Sequence, residues 1–308
     1  MNAMTGEMNT YLGWKIDFAQ PAGEAALVDP GSVQWRVFKN PIALGVGGVA
    51  AVLMEFADAR IRSGVWDHST YKADPIGRSQ RTGVAAMVGV YGPASAARRV
   101  IQGVGNMHAQ VNGDTPSGEA YRALDPELLD WVSATAAYGF LTAYDRFVAP
   151  VSAADQTRFY AEGEPVARLY GVQTPLRSSA DFQRMMQALA PRFEPHPIVG
   201  EFLDIIRSGK AAPGAPKLLH QALARGAVSI LPPLIRERLG LGRTYDLTLL
   251  DRLALRLAGA VAERTPDLKS PPCQASVRLG LPGNFLFCSR TEQMRLLTLR
   301  ARRLALAA

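Results

Sequence analysis

The 308-residue chain carries 34 Lys and Arg against 27 Asp and Glu, a formal charge of +7, and is 48% hydrophobic and 20% charged. This composition excludes a disordered or fibrous polypeptide, and the length suffices for one large helical domain, the preferred reading, or two small ones, with a deep cofactor pocket in either case. The two cysteines, Cys273 and Cys288, belong to no CxxC pair, which argues against a zinc site or a disulfide framework; two free thiols of a reducing compartment are the expectation, with a single bridge between them as the alternative.

The opening residues, MNAMTGEMNTYLGWK, lack the cationic start, apolar core and small-residue cleavage site of a signal peptide. Residues 1–40 read as an irregular arm broken by Gln20-Pro21 and Asp29-Pro30-Gly31, with one short strand expected over 33–38. From 41 onward the chain reads as helix. Pro41 opens a helix over 42–57 whose small residues suit close packing against another helix or a planar ligand. Asp74-Pro75 sets a turn before a helix over 78–91, which Gly92-Pro93 ends. The next helix covers 95–111 and stops at Asn112-Gly113, a pair suited to a left-handed C-cap. Asp125 and Pro126 start a helix reaching Phe147, with Leu128, Leu129, Trp131, Val132 and Thr135 recurring at spacings of three and four. Ser152 with Asp155 resembles a capping box for a helix that Gly163 and Pro165 kink before Tyr170-Gly171.

Helical periodicity returns over 179–189, 197–207, 217–225, 229–239 and 247–263, and a last helix begins near Arg290. The stretch holding both cysteines reads as a Pro- and Gly-rich connection. With no convincing alternating strand, internal repeat or low-complexity tract, the predicted class is all-α: one helical domain over 41–308 behind the N-terminal arm. The longest apolar stretch, 41–54, falls short of the roughly twenty residues that span a bilayer. A soluble, cytoplasmic protein with no transmembrane segment is expected; peripheral membrane contact and oligomeric state stay open.

Arg295, Arg300, Arg302 and Arg303 gather within the last fourteen positions, on what reads as an amphipathic helix. They form a solvated face complementing the helix dipole, or a surface for an acidic partner. No aromatic residues are interleaved with them, so nucleic acid is not an expected partner.

Several motifs are present in form only. Gly45-Val46-Gly47-Gly48-Val49-Ala50 matches GxGxxA, but no strand precedes it and no βαβ alternation follows, so its glycines are expected to let helices approach closely. The Glu-x-x-His pairs of a di-iron bundle, HExxH and GxSxG are absent. Glu162 and Glu164 stand two apart, off a common helix face, and are expected to be solvated. Among the histidines, His196 between two prolines reads as a packing or capping residue and His220 as a surface or boundary residue. His68 contributes to a pocket or bonds locally.

His108 differs, because Val100, Ile101, Val104 and Met107 surround it while Gly103 and Gly105 remove side-chain bulk one turn earlier. Each glycine costs a helix roughly 1 kcal/mol relative to alanine, tolerable where something large and flat approaches the backbone. A satisfied core histidine and a proximal heme ligand are both open readings. Arg78 and Thr82, four apart, project from one helix face. The guanidinium pairs with a propionate or bound ligand, or with Asp74; the hydroxyl donates to bound oxygen or water, or back to its own helix.

Placed in order, these segments resemble the catalytic domain shared by latex-clearing rubber oxygenases and MpaB-type oxygenases. The matching residues are Gly64-Val65-Trp66-Asp67-His68-Ser69, Asp74-Pro75 with Arg78 and Thr82, Met107-His108 with Val111 and Gly113, and Tyr121 with Ala123-Leu124-Asp125-Pro126-Glu127-Leu128-Leu129 and Trp131-Val132, followed by Ala161-Glu162 and Arg168-Leu169-Tyr170-Gly171. The likeness is strongest over 55–171. It implies an all-helical heme b protein in which His108 is the proximal iron ligand and Arg78 and Thr82 stand beside the heme as cofactor-binding and catalytic residues.

Its partners would be dioxygen and an apolar small-molecule substrate, isoprenoid or otherwise unsaturated. Two departures bear on that substrate: Asp58-Ala59 stands where many members carry His-Pro, and the region of the acid proposed as a base in rubber oxygenases is basic here, with Arg60 and Arg62. Long-chain polyisoprene is therefore disfavoured, and a non-catalytic heme or lipid-binding sensor on the same fold is the alternative. A partner-binding protein docking through its basic C-terminal helix is a third.

Overall fold

The computed structural model describes residues 10–11, 13–68, 74–209 and 216–307. Residues 1–9 of the N-terminal sequence and Ser69 of the segment 64–69 lie outside them. The described residues form one predominantly all-α domain. Strands β1 (Thr10–Tyr11) and β2 (Trp14–Lys15) make a small antiparallel hairpin, followed by helices α1 (Val33–Phe38), α2 (Pro41–Glu55), α3 (Ala59–His68), α4 (Pro75–Tyr91) and α5 (Ala94–His108). A second hairpin, β3 (Asn112–Asp114) with β4 (Ala120–Arg122), leads to α6 (Pro126–Phe147), α7 (Ala153–Leu169), α8 (Ser179–Leu189) and α9 (Pro197–Arg207). The chain finishes with α10 (Lys217–Ser229), α11 (Pro233–Arg238), α12 (Leu249–Arg264), α13 (Pro271–Arg278) and α14 (Arg290–Ala307).

The crossing of α2 with α6 organises the core. A Cβ on Gly47 would stand 2.7 Å from the Gly139 carbonyl and from the Phe140 Cα, so the two backbones touch at paired glycines, as the small residues of α2 suggest. Asn40 caps α2 by accepting from the Ile42 and Ala43 amides at 3.1 and 3.3 Å, and its side-chain nitrogen donates to the Gly259 carbonyl at 3.0 Å. The start of α2 is thereby tied to α12.

The segment 33–38 is helix rather than strand. Its sequence, Val-Gln-Trp-Arg-Val-Phe, has strand-like local preferences, but Ser32 accepts from the Trp35 amide and Glu162, reaching from α7, accepts from the Val33 amide at 2.7 Å. Glu162 is therefore a helix cap and not a solvated acid, while Glu164 pairs with Arg168. Asn112-Gly113 does not cap α5 either. It enters β3, which pairs with residues 120–122 across a five-residue turn.

The stretch holding the cysteines contains α13, which begins with Pro271 and Pro272 in its first turn, where their missing amide protons cost nothing. Cys273 is buried and Cys288 half-buried, both as free thiols. Arg278 ends this helix almost completely covered, donating to the carbonyls of Phe18 at 2.6 Å, Glu24 at 2.9 Å and Tyr91 at 2.7 Å. No helix among the described residues is long and apolar enough to cross a membrane.

Candidate active site

Arg78 of α4 lies within electrostatic reach of groups from two other helices and the first hairpin. This half-buried guanidinium acts electrostatically on Glu55 at the end of α2, on His108 at the end of α5 and on Tyr11 of β1. Thr135 of α6 joins through its hydroxyl, 3.2 Å from the Glu55 carboxyl. Tyr170, just past α7, has its phenol raised first by burial and then by Tyr11. Two surface clefts, of about 460 and 320 Å3, are lined by residues in 233–242 and 280–303 and contain none of these groups.

Glu55 is the electrostatic outlier. Protein surrounds it, yet part of its surface stays uncovered, the combination expected of a side chain lining a recess. Burial pushes its carboxyl up to about 7, against the opposing pull of the Thr135 hydrogen bond and the Arg78 charge. The Thr135 hydroxyl also lies 2.9 Å from the Val132 carbonyl of its own helix. Its single proton cannot satisfy both acceptors at once, so a protonated Glu55 completes the set by donating to Thr135 Oγ1.

His108 is half-buried, and burial followed by the Arg78 charge holds its imidazole below the ordinary value, hence neutral at pH 7. Neither ring nitrogen has a hydrogen-bond partner among the described residues. A Cβ built on Gly105, three residues earlier on the same face, would meet nothing within 4 Å. Gly103 is different: its space is filled by the Trp14 ring, 3.6 Å from such a Cβ, and by Tyr11. The N-terminal hairpin thus covers one glycine of α5, and the other lies beside open space.

Arg78 and Thr82 share one face of α4 and bond to each other, while the Thr82 hydroxyl also donates to the Arg78 carbonyl at 3.0 Å. Asp74 caps α4 on the Gly77 amide and has Arg81 at 3.6 Å as its ion-pair partner. Apolar, partly uncovered residues sit one turn from each polar group, Val52 from Glu55, Ala86 from Thr82, Val104 from His108 and Val132 from Thr135. The arrangement offers a neutral imidazole, a cation and a carboxyl that titrates near neutrality, each with a partly uncovered apolar residue one turn away. His108 is suited to ligate a heme iron, whereas no group of three or more His, Cys, Asp or Glu among the described residues forms a protein-only metal site.

The family described as ER-bound oxygenase mpaB/B'/Rubber oxygenase, catalytic domain, matches residues 35–264. The chain belongs to this family. No curated protein and no solved structure matches it. The matched region runs from within α1 to the last residue of α12, well beyond the segments that carry the resemblance in the sequence. It encloses Glu55, Arg78, Thr82, His108 and Thr135 and leaves out Tyr11 and Trp14. Membership in an oxygenase catalytic-domain family makes dioxygen and a small molecule the reactants.

The positions where this oxygenase departs from its family have structural partners. Asp58 is buried and holds Arg60 through contacts of 2.6 and 3.0 Å, and Arg60 also reaches Glu127. Arg62, equally buried, donates to the Phe56 carbonyl at 3.0 Å and pairs with Glu194. The locally basic segment is therefore neutralised by its own Asp58 together with Glu127 and Glu194 from elsewhere.

The remaining histidines do not join the site. His68 lies 3.1 Å from the Tyr121 hydroxyl, and His196 caps α9 by accepting from the Ile198 amide at 3.3 Å. His220, expected at the surface or boundary, is instead buried and packs its ring over Gly209. Glu55 itself is the residue that motif reading passes over. Its signal is that it carries the only charge on α2, placed where the helix dipole disfavours a carboxylate.

Proposed function

We propose that this chain is a heme b-dependent oxygenase acting on an apolar, unsaturated small molecule, with isoprenoid compounds among the candidates. The observation that carries the reading is the convergence on Arg78 of an unpartnered, neutral His108 and of a carboxyl, Glu55, that titrates near 7. His108 would hold the iron, and Arg78 would meet an anionic group of the cofactor or of a bound ligand. Bound heme would supply the iron chemistry that activates dioxygen.

The remaining tasks fall to the protein. Val52, Val104 and Val132 provide a wall that accepts hydrocarbon and excludes water. Glu55 can hold or release a proton at its carboxyl near neutral pH, with Thr135 orienting it and Arg78 favouring the anion once formed. The alternative of a non-catalytic heme or lipid carrier drew its support from the missing acid near Asp58. Glu55 supplies an acid from another helix, so turnover is the reading retained.

The visible spectrum of the purified chain reconstituted with hemin tests the proposal. The expected result is an intense Soret band that is lost in His108→Ala while the fold is kept, together with oxygen uptake in a screen of terpenoids and unsaturated lipids. A well-folded chain that takes up no heme overturns it.

A further inference from the structure

Helix α12 presents an apolar outer face on which none of the described residues packs. Leu249 and Leu250 are each 70% exposed, Leu253 55%, Leu257 69% and Val261 55%. At 100° per residue these five occupy about a third of the helix circumference. Leu268, shortly after the helix, adds a further side chain at 66% exposure.

The opposite face of α12 is firmly seated. Asp251 pairs with Arg225 at 3.0 Å, the Leu255 side chain comes within 2.7 Å of a Cβ built on Gly226, and a Cβ on Gly259 would stand 2.7 Å from the Phe147 carbonyl. A capping box of Thr248 and Asp251 fixes the start of the helix. The leucines are thus held outward on a rigid element.

The charges on this helix select the partner. Arg252, Arg256 and Arg264 are all exposed, and none has an ion pair among the described residues. Its two acids are already committed, Asp251 to Arg225 and Glu263 to Lys39. Asp246, just before the helix, pairs with Arg236. A second copy of this chain docked on the face would bring three arginines toward three arginines, with Asp267 beside Leu268 as the one carboxylate of the patch that has no ion pair among the described residues. An occupant must combine an apolar interior with negative charge at its rim.

We propose that the outer face of α12 docks this protein peripherally on an anionic phospholipid bilayer, with Leu250, Leu253, Leu257 and Val261 entering the boundary between headgroups and acyl chains and Arg252, Arg256 and Arg264 meeting the phosphates. The amphipathic helix lies in the plane of the interface. Affinity combines buried apolar area with salt-sensitive attraction to negative lipid.

Flotation of the full chain with vesicles tests the assignment. The chain should float with mixed phosphatidylcholine and phosphatidylglycerol vesicles and not with phosphatidylcholine alone, and binding should weaken as salt is raised. Leu253→Ser with Leu257→Ser, and separately Arg252→Gln with Arg256→Gln, should each lower partitioning by roughly tenfold or more. Their circular dichroism and melting should be unchanged, because these side chains point outward. Leu306→Ser, on the exposed end of α14, should bind like the parent chain.

Absence of flotation with anionic vesicles overturns the proposal. So does loss of flotation in Leu306→Ser with the α12 variants unaffected. A dimer in light scattering that the Leu253 and Leu257 changes dissociate, without vesicle binding, assigns the face to self-association instead. The outcome is independent of heme content.

Discussion

Glu55 and Thr135 face each other across the crossing of α2 and α6, carboxyl to hydroxyl at 3.2 Å, in a part of the molecule where no other charge on α2 is present. The pair lies on the two helices whose backbones touch at Gly47 and Gly139, and it holds a carboxyl that burial pushes up to about 7. Removing the carboxylate therefore has a signed consequence for stability.

Glu55 titrates near 7 in the folded chain against an ordinary value of 4.5, so the folded state binds the proton more tightly. Its contribution is fully present below 4.5 and is lost as pH rises through 7. Urea denaturation of the parent chain should show that loss, on the order of 3 kcal/mol at most. Glu55→Gln should flatten the profile over the same window and be the more stable protein at pH 8.

Arg78 depresses the protonation of both His108 and Glu55. In Arg78→Gln, the imidazole resonances of His108 followed by NMR should titrate at higher pH than in the parent chain, and the stability loss ascribed to Glu55 should move to higher pH as well. An unchanged His108 titration would contradict the shared field on which the candidate site rests.

Gly47 of α2 and Gly139 of α6 are predicted to be irreplaceable. Gly139→Ala forces a Cβ into the Gly47 backbone, which cannot swing aside as a side-chain end would, and should cost about 1–3 kcal/mol or more in thermal or chemical unfolding. Gly200 in α9 is the internal control. A Cβ there meets nothing within 4 Å, and Gly200→Ala should stabilise the helix by about 0.5–1 kcal/mol.

Asn40 is fully buried and serves both as acceptor for the first amides of α2 and as donor to the Gly259 carbonyl. Asn40→Asp keeps the cap and loses the donor, whereas Asn40→Ala loses both. Unfolding should rank the parent chain above both variants, with Asn40→Ala losing about 2 kcal/mol or more.

Long helices were legible because their signals are local. The Pro41, Pro126 and Pro197 starts, the Gly92-Pro93 stop and the Ser152 cap each act within a few residues of where they stand. What escaped depends on partners outside the segment itself. Helix α1 forms against its strand-like composition because Glu162 caps it from α7, and Asn112-Gly113 becomes strand because residues 120–122 supply its ladder. His220 is buried beneath a glycine from the preceding loop, a contact no spacing announces.

The candidate site divides in the same way. Arg78, Thr82 and His108 stood out in the sequence, and the structure brings Arg78 and His108 into one electrostatic neighbourhood, with Thr82 bonded to the arginine. Glu55 was visible only as a lone charge closing an apolar helix. Its partner Thr135 belongs to a helix eighty residues away, so the meaning of that charge emerges only when α2 and α6 cross.

The family match closes at residue 264, yet Arg278 lies beyond it and supplies hydrogen bonds to the backbone at Phe18, Glu24 and Tyr91. Tyr91 in turn donates its hydroxyl to the Trp35 carbonyl, inside the matched region. A fragment trimmed to the matched residues would leave the Tyr91 carbonyl without that donor and strip the cover from the floor of α1 and α4. The packing inside the matched region is therefore completed from outside it, by an arginine fourteen residues past its end.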